Sequence, residues 1–442
     1  MLEENGYKIK ILDLVTPRLS HCYNPFKYMQ DDNDVQKLVS NLFKSTTPKG
    51  SSSSDPFWDT SAQMLLSALI FYLKYEAPEE EQNFSTVGIM LRAGKPKEDE
   101  EDYESPLDIL FKRLEVRNPD HIAVKYYKDY HSGAGRTLKS IQVTLASRLE
   151  KFNIDEIASL TNTDEMELEK LGEEKIAVFA VIPDTHTSYN FLVSVLYTQI
   201  FQNAFYRADT KFKGALPIGV HFLMDEFANV ALPDDFDKIL SVMRSRNVFV
   251  SIILQNLAQL KTLFEKQWES IVGNCDEFLY LGGNEQSTHK YVAELLGKET
   301  IDTNTFGKSS GHSGNYSTNY QQTGRELLTA DEVRMLDNSK SILFIRGEKP
   351  VVDDKYNILK HPNVKYTIDG KGKPYEYGKV ENTTGHISML TQEELANLKD
   401  TKELKKIDTS EYELLSEEDL EEYFMIKEYE ENLKKEKLKA GE

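Results

Sequence analysis

Six short apolar runs constrain the fold of this chain more than any other feature. They are rich in Val, Ile and Phe and apolar on both faces, which is typical of strands buried in a parallel sheet covered by helices. Helical patterns separate most of them, so right-handed crossovers and an open α/β sheet are expected. The runs are Tyr7–Leu14, Lys175–Ile182, Gly219–Met224, Asn247–Gln255, Asp276–Gly282 and Ser341–Gly347.

The long interval between the first two runs has a helical pattern instead. Its stretch "DPFWDTSAQMLLSALIFYLKYE" opens with Asp55 as a helix cap and Pro56 as the first helical residue. We therefore predict an all-α domain over 35–173, inserted into an α/β domain that comprises 1–34 and 174–368.

Two regions have compositions that are poor in apolar residues. The stretch 307–324, "GKSSGHSGNYSTNYQQTG", is rich in Gly, Ser, Asn and Thr, and we predict a mobile loop there. The stretch 369–442 turns to Gly, Lys and Tyr and then becomes strongly acidic. Its helix-forming composition and charge pairs predict an acidic helical tail.

Bulk composition excludes several classes of protein. The formal net charge of −20 argues against a protein that coats nucleic acid with its whole surface, although it leaves room for a local basic channel. The two cysteines, Cys22 and Cys275, are far apart and predict neither a disulfide framework nor a zinc site. No signal peptide or membrane-spanning run is evident, so the chain is expected to be soluble and cytoplasmic.

The stretch "HFLMDEFANV" carries the clearest chemical pattern. Asp225 and Glu226 follow an apolar run at the carboxyl end of a predicted strand, which is where open α/β sheets bind ligands. There Asp225 would hold Mg²⁺ through its water shell, and Glu226 would polarise the water that attacks a γ-phosphate. A strand that merely ends in an acidic turn is the alternative, and these ten residues alone do not decide between the two.

The next helix and strand strengthen the catalytic interpretation. Gln255 ends the following run and would emerge beside Asp225 and Glu226, where a glutamine can hydrogen-bond the attacking water. Arg244 and Arg246 end the intervening helix, where an exposed arginine can reach a neighbouring subunit's nucleotide. Surface cations at a helix C-terminus are also favoured by the helix dipole, and that simpler interpretation stays open for Arg246.

A phosphate loop of the form G-x-x-x-x-G-K-[ST] does not occur in the 442 residues. "FGKSSG" lacks the first glycine, because Asp302 stands there. "HSGAGRTLKS" has Tyr130 at that position and arginine in place of lysine. The nine histidines form no metal-ligand spacing either.

The ordered set of motifs resembles the coupling proteins of type IV secretion and conjugation systems, the TraG/TraD-like ATPases, and most closely their Gram-positive branch. The resemblance runs from Gly6 to about Pro362. The matching segments are "GYKIKILDL", "SHCYNPFKY", "DPFWDTSAQMLLSALIFYL", "LMDEFANV", "MRSRNVFVSIILQN", "NCDEFLYLGG", "LLTADEVRML" and "SILFIRGEKPVVDDKYNILKHP".

This resemblance implies a hexameric RecA-like DNA pump at the cytoplasmic face of the plasma membrane, using ATP and Mg²⁺. It would link relaxase and other relaxosome proteins to the secretion channel and drive single-stranded DNA transfer. Asp225 and Glu226 match the family's second nucleotide motif, Arg244 its trans-acting arginine and Gln255 its sensor glutamine. The helical insertion corresponds to the family's all-α domain.

The chain departs from the family pattern at its start. Family members begin with membrane helices, a strand and the phosphate loop, whereas this sequence begins at the point where those would end. We therefore expect exposed apolar sheet surface and no ATP hydrolysis by the chain alone. Two hypotheses follow: the C-terminal motor portion of a DNA-transfer ATPase, or a non-hydrolysing remnant that docks relaxosome proteins.

Overall fold

The computed structural model describes residues 1–47, 56–95, 103–132, 135–183, 188–227, 236–308 and 316–377. All six predicted strands are present, each within the predicted run or close to its bounds. Three further strands lie after the fifth one. The strands are β1 Lys8–Asp13, β2 Ile176–Val181, β3 Val220–Met224, β4 Val248–Ile252, β5 Glu277–Tyr280, β6 Lys298–Lys308, β7 Tyr316–Glu326, β8 Lys340–Ile345 and β9 Val351–Asp354.

Helices fill the interval between β1 and β2, as the sequence pattern predicts, and separate most later strands. Pro56 is the first helical residue of α2, while the proposed cap Asp55 lies outside the described residues. The helices are α1 Asp32–Thr46, α2 Pro56–Glu76, α3 Phe84–Ala93, α4 Pro106–Arg117, α5 Ile122–His131, α6 Gly135–Arg148, α7 Asp155–Asn162, α8 Asn190–Thr210, α9 Phe236–Met243, α10 Leu257–Phe264, α11 Trp268–Asn274, α12 Gln286–Leu296 and α13 Ala330–Arg334.

The strands pair in both orientations. β1 pairs with β2 and β3 with β4, both in parallel, with Val220 opposite Val248 at the start of the second pair. β5, β8 and β9 form an antiparallel group. The described strands form four separate sheets: β1–β2, β3–β4, β5–β8–β9 and β6–β7. The predicted α/β class is confirmed, although three of the five strand pairings are antiparallel.

Helix α8 joins the helical region to the sheet. It has apolar residues around its whole circumference, and fourteen of its 21 residues are buried, which is typical of a helix enclosed on all sides. Phe201 packs against Phe222 of β3 with ring centroids 4.4 Å apart. On the other side, Asn41 of α1 donates a hydrogen bond of 2.8 Å to the Thr198 hydroxyl.

The helical region is tied together by a few polar contacts within its apolar core. The Arg148 guanidinium at the end of α6 donates to the Asp59 carboxylate at 2.9 Å and to the Thr46 carbonyl at 2.9 Å. Because the guanidinium also lies over the Phe43 ring, one side chain joins α6 to both α1 and α2. One hydrophobic cluster extends from Leu12 to Ile271, so no break in the core marks the proposed domain boundaries, which stay a prediction.

The prediction of a mobile loop over 307–324 is wrong for most of that range. Residues 307–308 end β6 and residues 316–324 belong to β7, and the two strands pair in antiparallel register from Lys298–Glu326 to Lys308–Tyr316. Residues 309–315 lie outside the described residues. The polar composition of this stretch suggested a loop. A hairpin, however, satisfies its backbone hydrogen bonds between its own two strands and needs no apolar face to do so.

The beginning of the predicted tail is described as far as residue 377. Tyr377 donates a hydrogen bond of 2.7 Å to the Asp13 carboxylate at the end of β1, and Tyr375 donates one of 2.7 Å to Glu3. The Gly/Lys/Tyr stretch therefore lies against the first strand. The acidic residues 378–442 lie outside the described residues, so the helical tail stays a prediction.

A partly buried carboxyl fixes the segment after β1 to the end of the helical region. Asp164 accepts hydrogen bonds from the Tyr28 hydroxyl and from the backbone N–H groups of Asn24 and Glu167. Burial raises the pKa of Asp164 to about 6, although these hydrogen bonds act in the opposite direction. The folded protein therefore disfavours the charged form of this carboxyl.

We expect this burial to make stability depend on pH in a direction opposite to that of most carboxylates. The contribution of Asp164 to the free energy of unfolding should rise as pH falls from about 7 through 6 towards 4, since the folded state holds the proton more tightly. In Asp164→Asn this contribution should vanish, changing the difference in stability between pH 7.5 and pH 5 by about 1–2 kcal/mol.

Urea unfolding at both pH values measures this change. Asp120→Asn serves as the control, because the Asp120 side chain is 93% exposed. Equal pH dependence in wild type and Asp164→Asn would contradict the assignment.

Candidate functional site

The Asp225–Glu226 pair lies in a two-residue projection at the carboxyl end of β3. The Ile253 N–H donates to the Met224 carbonyl at 3.0 Å, and the Ile253 carbonyl accepts from the Phe227 N–H at 3.3 Å. Ile253, the residue after β4, makes both of these hydrogen bonds. Asp225 and Glu226 therefore form a bulge between Met224 and Phe227. Both acidic side chains are exposed.

The backbone of this projection is strained. Glu226 has φ of 48°, in the left-handed region that residues other than glycine seldom adopt. Phe227 anchors the far side: it is 2% exposed and packs against Phe236 with ring centroids 5.4 Å apart. Strain of this kind persists where surrounding contacts over-determine the backbone, and it is concentrated at functional sites.

Gln255 lies at the same edge of the sheet. It follows the end of β4 by three residues, and β4 runs parallel to β3, so both strands deliver their following residues to one side. The Gln255 N–H donates to the Gln259 side-chain oxygen at 3.2 Å, which fixes the turn into α10. The structure therefore brings Asp225, Glu226 and Gln255 to one edge.

Arg244 lies at the opposite edge. It belongs to a 3₁₀ turn, Arg244–Arg246, that precedes β4, and five strand residues of about 3.3 Å each separate that edge from Gln255. The Arg244 side chain is 82% exposed, and its guanidinium is 3.8 Å from the Asp276 carboxylate. An arginine in this position is too far away to contact a nucleotide bound beside Asp225 and Glu226 of its own chain.

Arg246 has a structural environment, in agreement with the simpler interpretation left open for it. Its guanidinium donates to the Asp209 carboxylate at 2.8 Å and lies over the Phe205 ring, and its side chain is only 24% exposed. It therefore joins the turn before β4 to helix α8.

Sequence reasoning missed two residues at the Arg244 edge. Asp276 precedes β5, and Arg346 follows β8, which pairs antiparallel with β5. The Arg346 guanidinium contacts the Asp276 carboxylate at 2.9 Å and donates to the Gly273 carbonyl at 2.8 Å. These residues are far apart in sequence, so no local spacing links them to Arg244.

Apolar side chains are exposed on one face of the β3–β4 pair beside the acidic residues, and also at β5 in a separate sheet. Val220, Phe222 and Met224 are buried on the inner face of β3, whereas Leu223 is 68% and Phe249 48% exposed on the other. Leu279 and Leu281, at β5, are each 54% exposed. The exposed apolar sheet surface that the sequence led us to expect is thus present among the described strands.

Asp225 is a residue of this site that could hold Mg²⁺. Within the described ranges, no group of three or more His, Cys, Asp or Glu side chains is placed to hold a metal ion. Asp225 is a single exposed carboxylate whose Oδ1 accepts the Glu226 N–H at 3.1 Å. Mg²⁺ fits such a position, since it takes one or two carboxylates and keeps several waters.

No helix in the described part of the chain is both long and apolar enough to span a bilayer.

The chain belongs to the family of type IV secretory system conjugative DNA transfer proteins, whose pattern it matches over residues 1–371. It is similar to the protein VirD4 of Rhizobium rhizogenes, with 19% identity over 355 residues, 77% of this chain and 49% of that protein. It is also similar to the conjugal transfer protein TraG of Escherichia coli, with 23% identity over 343 residues, 73% of this chain and 53% of that one. The chain thus spans about half the length of these curated relatives.

Solved structures of a conjugative coupling protein share the fold. Unbound TrwB superposes with a TM-score of 0.56 at 14% identity, covering 80% of this chain and 76% of that one. TrwB in complex with ADP and Mg²⁺ gives a TM-score of 0.54 at 14% identity, covering 80% and 75%. The fold is therefore the RecA-like α/β fold of the coupling proteins, as the resemblance implied.

The structure yields a direct test of the two arginines. Arg246→Ala should lower the free energy of unfolding by about 1–2 kcal/mol, because it leaves the Asp209 carboxylate without its partner and exposes the Phe205 ring. Arg244→Ala should change it by less than about 0.5 kcal/mol, as is usual for an exposed side chain. Urea unfolding followed by circular dichroism measures both. Equal losses would show that Arg244 is also a packing residue.

Proposed function

We propose that the chain is the motor portion of a conjugative coupling protein, which links the relaxosome to a type IV secretion channel. In this proposal it drives single-stranded DNA transfer by ATP hydrolysis, as part of a hexamer at the cytoplasmic face of the plasma membrane. Family membership supports the involvement in conjugative DNA transfer. The observation that carries the motor role is the strained projection that presents Asp225 and Glu226 beside Gln255 at one sheet edge.

Each residue has a role that follows from its chemistry and position. Asp225 would hold Mg²⁺ through water, and when bound the ion would supply charge for the nucleotide phosphates. Glu226 would orient and polarise the attacking water. Gln255 would donate to or accept from that water from the neighbouring strand end. These roles rest on positioning and electrostatics, which is how phosphoryl transfer is generally catalysed.

Arg244 would act on the nucleotide of a neighbouring copy. Its 82% exposed side chain lies at the edge opposite Glu226, so an intermolecular contact is the geometry that lets it approach a phosphate. An arginine that reaches an adjacent site stabilises the charge that develops on the transferred phosphoryl group.

A docking role is the second candidate, and one observation favours it. The 442 residues contain no G-x-x-x-x-G-K-[ST] stretch, which is the sequence pattern of a phosphate-binding loop. In this alternative the chain would bind relaxosome proteins without hydrolysing nucleotide, and the acidic pair would have no catalytic role.

Glu226→Gln, introduced into the gene in its native host, separates the two candidates. The motor role predicts a fall in DNA-transfer frequency of at least about 100-fold, because the neutral amide lacks the negative charge that orients and polarises the attacking water. Asp225→Asn should have a similar effect, and Asp120→Asn in the helical region should transfer as wild type does. Mating frequency, measured at equal protein levels, is the assay.

Unchanged transfer by Glu226→Gln would reject the motor role and favour docking. A second measurement, Mg²⁺-dependent ATP turnover by the purified chain, tells whether the chain hydrolyses nucleotide by itself. Turnover that Glu226→Gln abolishes would contradict the expectation of inactivity in isolation.

A further inference from the structure

Two arginines share one carboxylate at the edge where β4 and β5 begin. Asp276 Oδ1 is 2.9 Å from the Arg346 guanidinium, and Asp276 Oδ2 is 3.8 Å from that of Arg244. The three side chains come from a helix end, a strand start and a strand end that are distant in sequence. Their meeting is therefore a product of the tertiary fold.

The backbone fixes two members of this cluster. The Arg346 N–H donates to the Asp276 carbonyl at 2.9 Å, and the Arg346 side chain donates to the Gly273 carbonyl at 2.8 Å. The strands that carry them are held together by packing as well, since Phe344 of β8 lies against Phe278 of β5 with ring centroids 5.9 Å apart. Arg346 and Asp276 thus form a fixed unit, and Arg244 approaches it from the neighbouring turn.

Stability gives little reason for this arrangement. The side chains of Arg244, Arg346 and Asp276 are 82%, 60% and 51% exposed, and ion pairs in that setting contribute little to folding. Two guanidinium groups around one carboxylate leave a net positive charge facing solvent. Within the described residues the Arg244 side chain makes no hydrogen bond, so its planar set of N–H donors is available to an anion.

We infer that Arg244 and Arg346 act as a paired phosphate-binding unit for a nucleotide held by a neighbouring copy of this chain, and that Asp276 is the positioning residue that keeps the two guanidinium groups together. This inference rests on the motor role proposed above. The triphosphate group has enough negative charge for two arginines, and guanidinium groups bind phosphate oxygens in a bidentate manner. Asp276 offsets the repulsion between the two cations until the phosphate arrives.

Complementation between defective alleles tests the unit in the native host. Arg346→Ala and Glu226→Gln should each lower transfer frequency when expressed alone, the first by about tenfold or more and the second by at least about 100-fold. Expressed together they should restore transfer to within about tenfold of wild type. In the mixed assembly, the Arg346→Ala copy supplies Glu226 and the neighbouring Glu226→Gln copy supplies both arginines, so the site between them is complete.

Matched pairs control for dosage and folding. Glu226→Gln with Asp225→Asn should stay defective, because both changes damage the same edge. Arg244→Ala with Arg346→Ala should stay defective for the corresponding reason. A misfolded Arg346→Ala protein could not supply a working site, so restored transfer excludes a purely structural role.

Asp276 is tested in the same way. Asp276→Ala should be defective alone, complement Glu226→Gln, and fail to complement Arg346→Ala, while Asp276→Glu should recover much of the lost transfer. The inference would be overturned if Arg244→Ala, expressed alone, were defective while Arg346→Ala or Asp276→Ala, expressed alone, transferred as wild type does. The inference would also be overturned if Arg244→Ala complemented Glu226→Gln and Arg346→Ala did not. Wild-type transfer by Glu226→Gln would instead reject the motor role itself.

Discussion

The packing of helix α8 is the interaction on which the rest of the structure depends. Because this helix has apolar residues around its circumference, it needs partners on every side. Phe222 of β3 packs against it on one side, and Asn41 of α1 donates a hydrogen bond to it on another. The Gln199 side chain accepts a hydrogen bond from the Tyr23 hydroxyl and donates one to the Pro25 carbonyl. The helical region thus contributes to the hydrophobic core that supports β3.

This support places the acidic pair and the arginines at opposite ends of the same two strands. Phe227 and Phe236 anchor the projection that carries Asp225 and Glu226, and Arg246 ties the other end to α8 through Asp209. Within one chain, the paired strands β3 and β4 separate the two edges. An assembly that brings one copy's arginine edge to another copy's acidic edge would therefore couple neighbouring sites directly.

Much of the fold was readable from the sequence, for identifiable reasons. Apolar runs such as Lys175–Ile182 have the Val, Ile and Phe content that is typical of strands in parallel sheets, and they form strands in the structure. Asp225, Glu226 and Gln255 were predictable as neighbours because each follows a strand, and parallel strands end at one edge. The hairpin β6–β7 was missed because its composition is polar, and hydrogen bonding between two strands leaves no hydrophobic period in the sequence.

The sequence by itself determined the alternation of strands and helices, the helical region between β1 and β2, and the acidic pair at a strand end. Only the tertiary structure decided which of Arg244 and Arg246 is exposed, since both occupy the same helix end in the sequence. It also decided that Asp276 and Arg346 meet Arg244. Local patterns record contacts along one element, whereas these contacts depend on how the starts of β4 and β5 lie beside each other in the folded chain.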